Sequence, residues 1–407
     1  MRLNAIAQLS LLAAICLVGR LSAQTAAPEP AQVFGQPRMA KGHPRTIWDQ
    51  EDIARYQELL KSSPELKDTL ERLRTWADGR IGQPLDVPAH TLEADGTWTF
   101  PDFKRGYQDA QGKWIWEWNF NGALQHRSAD ISNLGVLYAL TGDERYAALA
   151  KQLLLALADA YGYGRGRAAT NPPGFDHFEA YGFDGGDAGM LLAKTCSGYD
   201  LIYNLPMLTA GERTRIEQEL IRPMAEHLQK TKFMYTGHDR WAMVCLYGIF
   251  ISGVMLEDQE MVDGTLYGLG GSKNKPVGGF MDCFRTSSPT CLREDRLWGA
   301  DQKPEDQLAS LAIMVNVAEV MWHRGVDLYG YQHMALRKPF DAGYSLLLPA
   351  AGTPGDAEYA KLLDTPGMNA FEYAFRRYQD AVVQEFNRAQ AGAVVRVADE
   401  QLRGPGL

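Results

Sequence analysis

The sequence predicts an all-α fold, an (α/α) toroid built as an incomplete barrel of helical hairpins with long irregular loops at the rim of a cleft. Three observations carry this. Apolar residues recur at helical spacing through most of the chain, strand signals are scarce, and short turns join successive helices in pairs. A superhelical solenoid would share these features, but loops as long as 162–189 and 264–282 suit the rim of a cleft better than a regular stack.

The elements follow in order. Asp49 is placed to cap a helix over 50–60, where Ile53, Tyr56, Leu59 and Leu60 fall on one face. A second helix over 66–76 carries Leu66, Leu70, Leu73 and Trp76. Residues 95–118 alternate locally and predict a short hairpin or an aromatic loop. A helix over 131–140, the turn Thr141-Gly142-Asp143 and a helix over 144–161 read as a helical hairpin. Another helix is expected over 188–203. Thr209 and Glu212 have capping-box spacing and open a helix over 212–230. Helices over 240–256 and 308–324 complete the long ones.

The ends predict a compartment. Residues 1–23 read as a secretory signal: Arg2, an 11-residue apolar run over 9–19, and the cleavage site Leu21-Ser22-Ala23. Residues 24–41 read as a flexible leader and 42–407 as one catalytic domain, periplasmic or secreted, with no membrane contact once the signal is removed. Cys196 and Cys245 lie in apolar helical runs and are expected buried; Cys283 and Cys291 bracket a loop that a disulfide would close. Neither pattern has zinc-site spacing.

Charge limits the partners. The 407 residues hold 41 Lys and Arg against 50 Asp and Glu, a net charge of −9. Losing Arg2 and Arg20 with the signal leaves 39 against 50, or −11. Nucleic acid is therefore not expected as a partner, and any polyanionic substrate must meet positive charge gathered locally. A His-Glu-x-x-His helix, a Gly-x-Ser-x-Gly elbow and a P-loop are all missing, and the Gly162-Tyr-Gly-Arg-Gly run lacks a preceding strand. No cofactor and no metal are called for.

Four clusters can carry chemistry. His238, Arg240 and Trp241 stand where a polar loop enters an apolar helix, and can hold the carboxylate and ring of an acidic sugar. Trp118, Asn121, Gln125, His126 and Arg127 follow a Trp-rich segment suited to pyranose stacking. Tyr181 lies on a Gly-rich loop as a candidate proton carrier, beside His177, Glu179, Asp184 and Asp187. Arg296, Asp301 and Gln302 precede a further helix. Each also has a plainer reading, as a cap, a packed hairpin or a solvated face.

At these residues the chain resembles the alginate lyase and heparinase-type polysaccharide lyases. The likeness rests on His43-Pro-Arg45 before the Asp49 helix, Leu140-Thr-Gly-Asp-Glu-Arg-Tyr146-Ala, and His238-x-x-Trp241-Ala. It continues in Gly299-Ala-Asp-Gln302, Ala318-Glu319 and Trp322-His-Arg-Gly-Val-Asp-Leu-Tyr329-Gly, a pattern similar to single-domain members, in particular polysaccharide lyase family thirty-eight. The chain departs from the group at Gly237, where Asn often precedes the active-site His, and at Ala300, where Arg is usual. The resemblance implies metal-independent β-elimination on a 4-linked uronic-acid polymer, glucuronan or alginate. His238 would act as carboxylate neutraliser or base, Tyr181 as the proton-transferring Tyr and Arg296 in support. Substrate would be held by Trp118, Asn121, Gln125, His126, Arg127, Arg240, Trp241 and Gln302. The alternatives left open are a toroidal glycoside hydrolase using two carboxylates roughly 6.5–9.5 Å apart, and a non-catalytic glycan-binding protein.

Overall fold

The computed structural model describes residues 35–85, 119–167, 185–283 except 231 and 237–239, 304–331 and 335–337, together with four short strands, Val87 and Arg377. Helix α1 spans Gln50–Ser62. The Asp49 carboxylate accepts from the Asp52 amide at 2.9 Å, and the Asp52 carboxylate accepts from the Asp49 amide at 3.3 Å, a reciprocal cap. Ser63 ends α1 and caps α2 (Pro64–Asp78), with Pro64 at a first-turn position that needs no amide hydrogen.

Two antiparallel ladders follow: β1 (Thr91–Leu92) with β2 (Trp98–Thr99), and β3 (Tyr107–Gln108) with β4 (Trp114–Ile115). The Trp-rich segment thus contributes a strand, as its alternation predicts.

Helices α3 (Asn119–Thr141) and α4 (Glu144–Arg167) meet at Gly142, whose φ of 70° only glycine adopts readily, so α4 runs back along α3. Both are longer than the apolar pattern indicates. Helix α4 continues through Gly162, Gly164 and Gly166, where a loop was expected; glycine weakens a helix by about 1 kcal/mol without forbidding it. Helix α5 is Gly185–Ile202.

The predicted helix after Thr209 forms in three pieces. Capped α6 (Ala210–Arg215) widens into a π-helical turn, Ile216–Ile221, before α7 (Arg222–Gln229). Pro223, inside this helix, cannot donate a backbone bond, and the widened turn directly precedes it. After a short 3₁₀ turn come α8 (Arg240–Met255), α9 (Gln259–Tyr267, capped by Asp258), α10 (Gly279–Asp282) and α11 (Pro304–Trp322). The Gly-rich stretch 264–282 is therefore helical at both ends. Its glycines answer to close backbone packing: a Cβ on Gly278 would lie 2.0 Å from the Tyr235 carbonyl oxygen.

Contacts between helices fix the architecture. A Cβ on Gly198 of α5 would meet the Ile131 carbonyl oxygen of α3 at 2.5 Å, and one on Gly135 would lie 3.3 Å from Leu201 Cβ. Later residues of α3 thus meet later residues of α5, so the two run parallel. On the other flank of α5, Gly189 packs on Val244 and Cys245, and the Cys196 sulfur lies 3.6 Å from Ser252 Oγ, so α8 is parallel as well. Parallel helices that neighbour each other need returning helices outside them. Helix α4 supplies one return, and α6, the π turn and α7 another, with Tyr199 of α5 bonded outward to Glu217 at 2.9 Å. The fold is the all-α toroid that the sequence predicts.

The C-terminal ends of α5, α8 and α11 are tied together by residues 38–52. The Asp200 carboxylate, near the end of α5, accepts from the amides of Arg45 and Thr46 at 2.8 and 2.7 Å and from Thr46 Oγ1 at 2.7 Å. It also meets His43 Nδ1 at 2.5 Å. Arg45 pairs with Glu257 just past α8. His323, just past α11, places Nδ1 2.7 Å from the Thr46 carbonyl oxygen and Nε2 2.9 Å from Asp52 Oδ2. The amides of Arg38 and Ala40, within the stretch read as leader, donate to the carbonyls of Trp322 and His323. Glu319 of α11 accepts two bonds from Arg377, each 2.9 Å, and one from Tyr329 at 2.8 Å. Cys196, Cys245 and Cys283 are buried, as expected for the first two; Cys291 lies outside the described residues. Among the described residues no helix is long and apolar enough to cross a membrane.

Candidate active site

Because α3, α5 and α8 run parallel and α11 shares their C-terminal anchor, the N-termini of all four helices face the opposite end of the barrel. In sequence, the candidate residues lie in or just before the first turns of these helices. Asn121, Gln125, His126 and Arg127 occupy the first turns of α3, and Trp118 immediately precedes it. Arg240 and Trp241 form the first turn of α8, and His238 stands two residues ahead. Tyr181 comes four residues before α5, and Gln302 and Arg296 come two and eight residues before α11. Among the described residues, the starts of α3 and α8, which carry part of two of these clusters, thus share one end of the barrel.

Trp118, Tyr181, His238, Arg296 and Gln302 lie outside the described residues, as do the side chains of Asn121, Gln125, His126, Arg240 and Trp241. Of the substrate-binding candidates, Arg127 has a described side chain. It is buried at 6% exposure, its Nη1 lies 3.1 Å from Asp130 Oδ2, and it donates to the Leu85 carbonyl at 3.4 Å. Arg80 reaches the same Asp130 at 3.4 Å. Arg127 therefore ties the segment after α2 to the first turns of α3, a structural role in place of the substrate contact expected of it.

The rim has an electrostatic character independent of net charge. Each helix N-terminus exposes unpaired amide hydrogens and the positive end of its dipole, equivalent to about half a charge. Helix N-termini at one end of a barrel favour anions locally, whatever the net charge of the chain. The opposite end has complementary chemistry, with His43, Arg45, His323 and Arg324 beside the helix C-termini.

One residue of the barrel wall was passed over in the sequence: Lys194, in the middle of α5. Burial lowers its pKa. The signal was present, a single lysine inside the apolar run 188–203.

The class defined by this fold is an α/α toroid whose inner helices open by their N-termini onto one mouth. Comparison with known proteins adds the following. No family model matches the chain. An exo-oligoalginate lyase of Saccharophagus degradans is 28% identical over 249 residues, 60% of this chain and 29% of that protein. An alginate lyase of Stenotrophomonas maltophilia is 32% identical over 143 residues, 33% of this chain and 17% of that protein. The chain thus spans less than a third of the length of these curated relatives. Among solved structures, an alginate lyase from Bacteroides ovatus superposes with a TM-score of 0.51 at 14% identity, covering 88% of this chain and 99% of that one. The chain is similar to alginate lyases in sequence, and shares its fold with one over 88% of its length.

Proposed function

We propose that the protein is an exported polysaccharide lyase that cleaves alginate, or a related 4-linked uronan such as glucuronan, by β-elimination without a metal. The observation that carries this reading is the convergence of four helix N-termini, with His, Arg, Tyr, Trp and amide residues clustered at them in sequence, on one mouth of a toroid similar to that of an alginate lyase.

The chemistry matches that arrangement. The C5 proton of a uronate is weakly acidic, and its removal builds negative charge on the C6 carboxylate. Amides and cations fixed around that carboxylate stabilise the enolate-like intermediate. In this scheme His238, with Arg240 and Arg296, neutralises the carboxylate. Tyr181 takes the C5 proton and returns one to the departing O4, which breaks the C4–O4 bond and leaves a C4=C5 double bond. Trp118 and Trp241 stack on sugar rings, while Asn121, Gln125, His126 and Gln302 hold the flanking units; Arg127, expected among them, is buried against Asp130 and braces the start of α3 instead. Residues 1–23 would direct export.

The test is incubation with polymannuronate, polyguluronate and polyglucuronate, reading ultraviolet absorbance of the new double bond. Absorbance that survives chelator treatment and falls at least about 100-fold in His238→Ala is expected. New reducing ends without absorbance would identify a hydrolase, and affinity without either product a binding protein. Full activity in His238→Ala would overturn the site assignment.

A further inference from the structure

We propose that Lys194, on the inward face of α5, binds the carboxylate of a uronate unit that has entered the barrel from the N-terminal rim; the inference rests on the uronan reading above.

The face is fixed by its neighbours. Gly189 and Cys196 mark the flank of α5 against α8, Gly198 the flank against α3, and Tyr199 the back, bonded to the outer π turn. The remaining face points to the barrel axis. Met190, Lys194, Ser197 and Leu201 fall on it at i, i+4, i+7 and i+11, and all four are half-buried while almost every other described side chain of the helix is fully buried. This stripe is the side of α5 that its described neighbours leave uncovered.

Ser197 donates its hydroxyl to the Ala193 carbonyl at 2.9 Å, and Met190 and Leu201 are apolar. Lys194 is thus the charged group of this stripe. Among the described residues no carboxylate lies within ion-pair distance of it, and desolvation alone accounts for its lowered pKa. Every other deeply placed cation described above has an acid partner: Arg377 has Glu319, His323 has Asp52, and Arg127 has Asp130. A half-buried ammonium to which the described residues bring no counter-charge is unfavourable by itself, and becomes favourable when a ligand carries the anion in. At about 1.5 Å per residue, Lys194 lies about 14 Å inward from the start of α5. Residues 38–52 tie the far ends of the helices together. A uronate reaching Lys194 would therefore come through the N-terminal mouth, on a segment longer than a single sugar.

The experiment is calorimetric titration of saturated trimannuronate and triglucuronate into the wild-type protein, Lys194→Met and Lys194→Arg, with thermal melting of each. Lys194→Met should bind at least about tenfold more weakly, Lys194→Arg should stay within about threefold of wild type, and Lys194→Met should melt no lower than wild type, since it loses only a desolvated charge. Equal binding by wild type and Lys194→Met, no binding by wild type, or affinity that falls in both variants only in step with melting temperature overturns the inference. Wild-type binding that depends on Lys194 without any unsaturated product would leave this site standing and sink the lyase reading. Lyase activity with an unchanged KM in Lys194→Met would sink this site alone.

Discussion

Replacing Gly189 by Ala should damage both the stability of the barrel and the geometry of the first turn of α8, part of the proposed site. A Cβ at this position would lie 2.5 Å from the Val244 carbonyl oxygen and 2.7 Å from Cys245 Cα, both backbone atoms of α8. Ordinary contact begins near 3.4 Å, so α8 must move by about 0.9 Å, or α5 must, and neither helix can rotate a side chain away. Overpacking of this kind costs about 1–3 kcal/mol and sits at the upper end when two buried backbones collide. The helix propensity of Ala returns about 1 kcal/mol. The net expectation is a loss of about 2 kcal/mol in urea unfolding. Gly211→Ala is the control, because nothing lies within 4 Å of a Cβ there, and it should gain about 0.5–1 kcal/mol. Val244 is only four residues from the start of α8, so the displacement passes to the turn that carries Arg240 and Trp241. A shift near 1 Å in positioned groups can cost about 100-fold in rate. A Gly189→Ala variant as stable as wild type, beside a stabilised Gly211→Ala, would refute backbone-to-backbone packing of α5 on α8.

Two further outcomes test the C-terminal anchor. Asp200→Ala strands the amides of Arg45 and Thr46, the Thr46 hydroxyl and the His43 ring, and should cost about 3–5 kcal/mol of unfolding free energy, whereas Thr46→Val should cost about 1 kcal/mol. Both ring nitrogens of His323 face acceptors; burial pulls its pKa down, but the bond and charge of Asp52 and the Thr46 carbonyl outweigh this and raise it. A raised folded value means that the stabilisation is complete below the unfolded value of about 6.5 and is lost as pH rises through the folded one. The melting-temperature gap between wild type and His323→Gln should therefore be widest in mild acid and close toward alkaline pH, and a gap that widens with pH would contradict the pairing.

What the sequence revealed is what is encoded locally. Asp49 with Asp52 and Thr209 with Glu212 cap their helices through bonds three residues long, and both caps were visible before any coordinates. The apolar runs gave α5, α8 and α11 nearly to their ends. The first turns of α3 were missed because amides and cations there resemble a loop, and α9 because its nine residues hold too little pattern to compete with the glycines beyond it. The π turn before Pro223 shifts the helical period and left no trace in spacing. The knot of His43, Thr46 and Asp200 could not be read at all, since nothing in either segment names its partner. For the candidate site, residue types indicated the chemistry, but only the parallel course of the helices says that the starts of α3 and α8 share one end.

The anchor around Thr46 also has a kinetic consequence. Its bonds join residues separated in sequence by 157 positions at Asp200, 212 at Glu257 and 277 at His323. The segment synthesised first among the described residues thus waits for the last inner helix before its partners all exist. Hairpins such as α3–α4 can form early from neighbours, but ring closure carries the loop entropy of most of the chain and should be the late, slow step of folding. Until then the apolar flanks of the inner helices stay open, so the chain is exposed to aggregation for as long as closure takes.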